Sequence, residues 1–172
     1  HTAAAMSPLL PVVYLAFANT KDAHLGMLKA ESRDVLGALT PLKDSGRIEI
    51  QREESTAQAE LFNDLVASGD RIVVFHYGGH ASGTRLQLED GAQGAHGLAR
   101  LLGQLRSLKL VFLNGCATQG HVKRLLECGV PAVIATSVKI GDKKAKDFSV
   151  AFYTALARGK SIAEAFDAGR AF

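Results

Sequence analysis

The sequence contains no tryptophan, only two cysteines and only four prolines in 172 residues. Two cysteines cannot form the disulfide framework of a small secreted domain, so a reducing, cytoplasmic setting is expected. No apolar run approaches the roughly 20 residues that a membrane-spanning helix needs, and the N-terminus lacks the basic flank of a signal peptide. We therefore expect no membrane association.

The motifs of nucleotide-binding proteins are also missing. Neither a P-loop nor a GxGxxG fingerprint occurs, which argues against a small-molecule- or nucleotide-binding α/β domain. The net charge is only +3, and a local cluster carries four lysines: Lys139, Lys143, Lys144 and Lys146. No aromatic residues interleave with them, so a solvated face is favoured over a nucleic-acid surface.

Five segments have the apolar or alternating pattern of β-strands. They are residues 9–18, 47–51, 71–75, 108–114 and 131–138. A short β-hairpin arm is predicted from residue 85. Helices are predicted over 25–39, ending before Pro41, over 55–67, 98–105, 121–127 and 146–158, and from Ser161, where Glu164 completes a capping box.

Strands alternate with helices along the whole chain. This order predicts an α/β fold, in which helices cover both faces of a parallel sheet. A length of 172 residues fits one domain. Residues 1–5 resemble an expression-tag remnant, so residues 6–172 are expected to form the domain. The chain stops within an amphipathic segment, which indicates a domain cut from a longer protein.

In a parallel α/β sheet, ligands bind beyond the carboxyl ends of the strands. The polar residues expected there are Asn19 and Asp22 after the first strand, His76 and His80 after the third, Asn114 and Cys116 after the fourth, and Thr136 and Ser137 after the fifth. His80 and Cys116 stand out because a histidine can generate the thiolate that makes cysteine a nucleophile.

Neighbouring strands lie about 4.8 Å apart, so adjacency of the third and fourth strands would bring His80 and Cys116 together. The glycines around them, Gly78, Gly79 and Gly115, are expected to let the backbone turn sharply. The backbone amides of Ala81 and Cys116 are candidates for an oxyanion hole. From the residues alone, two interpretations remain open: His80 and Cys116 form a catalytic dyad, or they are two separate packing residues.

The other histidines and the second cysteine are expected to have structural roles. His76 is predicted to point into the core or to cap its strand. His76 and His80 together supply too few ligands for a metal, so neither metal nor cofactor is expected. His96 and His121 are predicted to lie on the surface, and Cys128 is predicted to be a packing residue.

Several stretches resemble the CHAT domain, a family of caspase-like cysteine peptidases that usually form one module of larger prokaryotic proteins. The stretches are VVYLAFANTKDAHLGMLKAE, HYGGHA, LVFLNGCAT, LLECGVPAVIATSVKIGDKKAKDF and FYTALARGKSIAEAF. The resemblance implies the caspase–hemoglobinase fold. That fold is a Rossmann-like three-layer αβα sandwich around a mostly parallel sheet of about six strands.

The resemblance also implies roles for individual residues. His80 becomes the general base or thiolate partner and Cys116 the nucleophile, with the amides of Ala81 and Cys116 binding the oxyanion. The position two before the cysteine, Asn114, helps to line the pocket for the substrate residue preceding the cut. Asp22 or Asp142 could add an acidic group to that pocket.

The implied function is cleavage of a polypeptide substrate through a Cys-His dyad, by the regulated effector module of a bacterial multidomain or defence protein. The expected partners are the polypeptide and regulatory or sensor domains, with no nucleic acid. The alternative is a catalytically silent, peptidase-like interaction module.

Overall fold

The computed structural model describes residues 9–18, 26–54, 57–80, 85–88, 91–115, 118–136 and 143–171. The strands are β1 (Val12–Ala18), β2 (Glu49–Glu53), β3 (Ile72–Gly79), β4 (Arg85–Leu88), β5 (Gly91–Gly94), β6 (Leu110–Asn114) and β7 (Val133–Ala135). The helices are α1 (Gly26–Asp44), α2 (Gln58–Ser68), α3 (Ala95–Gly103), α4 (Val122–Glu127), α5 (Lys143–Ala157) and α6 (Ile162–Arg170), and a 3-10 helix (Thr118–His121) leads into α4.

Five of the strands form one sheet in the order β2-β1-β3-β6-β7, and every pairing in it is parallel. The predicted parallel sheet is confirmed, and within the described residues it has five strands where about six were expected. β4 and β5 pair antiparallel in a separate two-stranded sheet, which confirms the predicted hairpin arm. The crossovers put helices on the sheet faces, because parallel strands cannot be joined by a tight turn.

The sheet divides the core into two parts, because successive side chains of a strand point to opposite faces. On β1, Tyr14 and Ala16 pack with leucines of α2, α3 and α4, whereas Leu15 and Phe17 pack with α1, α5 and α6. Each fully buried Leu or Phe side chain contributes about 1.5–3 kcal/mol. The result is a three-layer αβα sandwich. No helix in the described part of the chain has the length and apolar character that crossing a membrane requires.

Helix α1 corrects one prediction, because it continues through Pro41 to Asp44. Proline in the last turn removes only the hydrogen bond to the carbonyl of Gly37, and Gly37 is exposed, so water can satisfy that carbonyl. The chain reverses just after the helix at Gly46, which has a φ of 72°. The amide of Gly46 donates to Lys43 and that of Arg47 donates to Leu42, which is a Schellman motif.

The junction of α5 and α6 agrees with the sequence. Gly159 has a φ of 84° and ends the turn that follows α5. The Ser161 hydroxyl accepts from the Glu164 amide, and the Glu164 carboxylate accepts from the Ser161 amide, so the predicted capping box is confirmed. Hydrogen bonds with Ser161 lower the pKa of the Glu164 carboxyl, and the bond from the Ser161 backbone has a larger effect than the bond with its side chain.

Candidate active site

The carboxyl ends of β1, β3 and β6 lie side by side at one edge of the sheet. Ala18 of β1 pairs with Gly79 of β3, and Gly78 pairs with Asn114, the last residue of β6. The expected adjacency of the third and fourth predicted strands is therefore confirmed. His80, directly after β3, and Asn114, the last residue of β6, lie at this edge, where parallel α/β sheets bind ligands.

His80 follows β3 directly, and its backbone is held by the preceding tyrosine. The Tyr77 hydroxyl donates to the His80 carbonyl oxygen at 2.6 Å. A Cβ on Gly79 would lie 2.6 Å from this hydroxyl and 3.0 Å from the Ala18 carbonyl oxygen, so a side chain at position 79 would break the arrangement. The His80 Nε2 atom is buried and has no hydrogen-bond partner in the part of the chain that the structure describes.

The glycines before His80 do not bend the backbone, which corrects the prediction of a sharp turn there. Both belong to β3 and pair with Phe17 and Ala18 of β1. A Cβ on Gly78 would lie 2.8 Å from the Phe17 ring. Glycine is therefore required by close packing on both faces of the sheet, and the strand continues straight to His80.

His76 lies in the core, as predicted, and is fully buried. Its Nδ1 is 2.8 Å from the Tyr153 hydroxyl and its Nε2 is 3.1 Å from Glu31 Oε1. Burial, and secondarily the charge of Glu31, raises the pKa of Tyr153 well above its ordinary value. The tyrosine therefore keeps its proton, so its hydroxyl is able to donate to Nδ1, and in that tautomer Nε2 donates to Glu31.

The same Glu31 oxygen accepts further hydrogen bonds from β6 and α5. Asn114 Nδ2 donates at 2.7 Å and Ser149 Oγ at 3.1 Å. Glu31 is only 4% exposed, so these donors replace the water that its carboxylate has lost. We call Glu31, His76, Asn114, Ser149 and Tyr153 the Glu31 network; it joins α1, β3, β6 and α5 beneath the edge of the sheet.

Sequence reasoning missed Glu31, although one signal was available. Leu28, Val35 and Leu39 form the buried stripe of α1, and Glu31 falls between them at helical spacing. A carboxylate on such a stripe needs buried donors. The nearest donors in space come from residues as far as 118 positions away along the chain, so the sequence did not identify them.

Thr136, directly after β7, contacts both ends of the segment that contains Cys116. Its hydroxyl donates to Asn114 Oδ1 at 3.0 Å and accepts from the Gly115 amide at 3.2 Å. Its carbonyl oxygen accepts from the Thr118 hydroxyl at 2.7 Å. The residues on either side of positions 116 and 117 are therefore both hydrogen-bonded to Thr136, at the end of β7.

The predicted site residues divide into two groups. His80 and Asn114 lie at the edge described above, and Asn114 is 6% exposed with both polar atoms of its amide hydrogen-bonded in the core. Its role in a substrate pocket stays a prediction. The other predicted residues lie outside the described part of the chain: Asp22, Ala81, Cys116 and Asp142.

Three further residues can be compared with their predictions. His96 is exposed, as predicted. Cys128 is partly buried against the core cluster and confirms the prediction of a packing residue. The prediction for His121 is wrong: the residue is 3% exposed and lies beside Leu98 and Leu125, because the 3-10 helix turns it toward α3.

The three-layer sandwich, with a histidine at the carboxyl edge of its parallel sheet, is consistent with the caspase-like class of fold. A scan of family models matches the CHAT domain over residues 2–170. The chain therefore belongs to the CHAT domain family, which is related to caspase-like peptidases. A search of curated proteins found no match.

Proposed function

We propose that the protein is a cysteine endopeptidase in which His80 and Cys116 form the catalytic dyad. The observation that carries the proposal is the register of β3 and β6. Gly78 pairs with Asn114, an offset of 36 residues, and the same 36 positions separate Cys116 from His80. In the sequence, each residue of the proposed dyad comes two positions after one of these paired residues, which lie near the edge where parallel sheets bind ligands.

The surroundings of the His80 ring support a role as base. A buried polar atom without a partner is uncommon and calls for a reason, and Nε2 of His80 is such an atom among the described residues. In the proposed reaction, His80 takes the thiol proton in the resting enzyme, and the Cys116 thiolate then attacks the peptide carbonyl carbon. His80 then gives that proton to the leaving amine, and water hydrolyses the acyl-enzyme.

The remaining groups of the proposed site are backbone amides and specificity residues. The amides of Ala81 and Cys116 would donate to the oxyanion that forms on the carbonyl oxygen. Asn114, with Asp22 or Asp142, would shape the pocket for the residue before the cut. We further propose that the domain is a cytoplasmic effector module, which acts on a polypeptide and is controlled by regulatory or sensor domains of a bacterial multidomain protein.

The test is cleavage of candidate polypeptides by the full-length protein with its partners. Cys116→Ala is expected to abolish cleavage, since it removes the only proposed nucleophile. Cys128→Ala is the matched control and should leave cleavage unchanged, because Cys128 packs against the core. Cleavage that persists undiminished in Cys116→Ala would exclude the proposed mechanism.

A further inference from the structure

We propose that Thr136 is a positioning residue for Cys116, and that Glu31 acts through Asn114 to hold Thr136 in place. This inference rests on the proposed function, because it takes Cys116 as the nucleophile. The supporting geometry is a continuous series of hydrogen bonds from the buried carboxylate on α1 to the amide of Gly115, the residue immediately before Cys116.

Thr136 is itself well anchored. Its amide donates to the Leu113 carbonyl at 3.1 Å, so its backbone extends the pairing of β7 with β6. From this fixed position, the hydroxyl contacts Gly115 and the carbonyl contacts Thr118. These two residues are the described neighbours of positions 116 and 117, so one residue holds the chain on both sides of those positions.

The hydroxyl of Thr136 is used both as a donor and as an acceptor. It donates its proton to Asn114 Oδ1 and accepts the Gly115 N–H with a lone pair. Valine has the same shape without the hydroxyl, so it would leave both the Gly115 amide and Asn114 Oδ1 without this partner. Serine keeps the hydroxyl and should preserve both contacts.

Glu31 determines which end of the Asn114 amide faces Thr136. A carboxylate can only accept hydrogen bonds, so it binds the NH₂ end of Asn114, at 2.7 Å. The carbonyl end, Oδ1, is thereby turned toward the Thr136 hydroxyl. The Ser149 hydroxyl, 3.3 Å from the same NH₂ group, favours the same orientation.

The experiment compares Thr136→Val with Thr136→Ser in the full-length protein. Two quantities are measured: the rate of hydrogen exchange at the Gly115 amide, and the rate of Cys116 alkylation by iodoacetamide across pH, with the alkylated cysteine located by peptide mapping. Thr154→Val is the control, because it also removes a threonine hydroxyl, which in this case donates to the Val150 carbonyl within α5 at 2.7 Å.

We expect Thr136→Val to accelerate Gly115 exchange by about tenfold, the effect of losing one hydrogen bond. In Thr136→Val, the pH dependence of the Cys116 alkylation rate should become that of an ordinary thiol, with a pKa of about 8.5. Thr136→Ser should restore both quantities, and Thr154→Val should change neither. Urea unfolding of each variant checks that the protein is folded under the assay conditions, because Cys116 in unfolded molecules would also titrate as an ordinary thiol. A shift in a fully folded Thr136→Val variant is not explained by a merely structural role.

The outcomes separate this inference from the proposed function. If His80→Ala leaves the Cys116 titration unchanged from the unsubstituted protein, the dyad and the proposed function fail, and with them the positioning role. If the titration depends on His80 but Thr136→Val preserves it, the dyad stands and the positioning role is overturned. Unchanged Gly115 exchange in Thr136→Val also overturns the positioning role.

Discussion

Replacing Glu31 with alanine is expected to lower the free energy of unfolding by about 3 kcal/mol. The substitution removes the acceptor shared by His76 Nε2, Asn114 Nδ2 and Ser149 Oγ. His76 is fully buried and Asn114 nearly so, which leaves their donors without water. Urea unfolding followed by circular dichroism measures the change, since the chain has no tryptophan to report it by fluorescence.

Two further variants identify the cause of that loss. Glu31→Gln keeps an acceptor oxygen but places an NH₂ group among donors, so its loss should be smaller than that of alanine and still measurable. Glu127→Ala is the control, because this glutamate is 64% exposed on α4 and its ion pair with Lys123 spans 3.8 Å. If Glu31→Ala destabilises no more than Glu127→Ala, the Glu31 network does not stabilise the fold.

Replacing His80 with alanine is expected to lower the rate of peptide cleavage by about 10²–10⁴-fold, the usual contribution of a general base. The thiol of Cys116 would lose the group that takes its proton, while the backbone amides proposed for the oxyanion would remain. Cleavage of a polypeptide that the unsubstituted protein cuts, followed over time at fixed pH, measures the loss.

His96→Ala provides the control for this experiment. His96 is exposed in α3 and is assigned no part in the site, so its replacement should leave the rate unchanged. Urea unfolding of both variants separates catalysis from stability. Equal rates for His80→Ala and His96→Ala would show that His80 is not the base.

Most of the fold could be predicted because its signals are local. The apolar runs 9–18 and 108–114 contain β1 and β6, whose residues are buried throughout. The capping box at Ser161 follows from residues only three positions apart. The prediction that the first helix ends before Pro41 was wrong, because the energetic cost of a proline depends on its position within the helix. That position is set by the Schellman motif at Gly46, further along the sequence.

The candidate site could be predicted only where strands deliver residues directly. His80 and Asn114 were identified because each lies at the end of an apolar strand. Glu31 was not identified, because its role depends on donors that only folding brings around its carboxylate. The need for glycine at position 79 was not predicted either, because it depends on the Tyr77 hydroxyl that donates to the His80 carbonyl.

The proposed activation of Cys116 by His80 is tested by reaction with an electrophilic peptide, whatever the natural substrate is. The labelled protein is digested, and the modification of each cysteine is quantified by mass spectrometry. We predict that Cys116 is labelled much faster than Cys128 and that His80→Ala removes the difference. Equal labelling of the two cysteines, or a difference that survives in His80→Ala, would show that His80 does not activate Cys116.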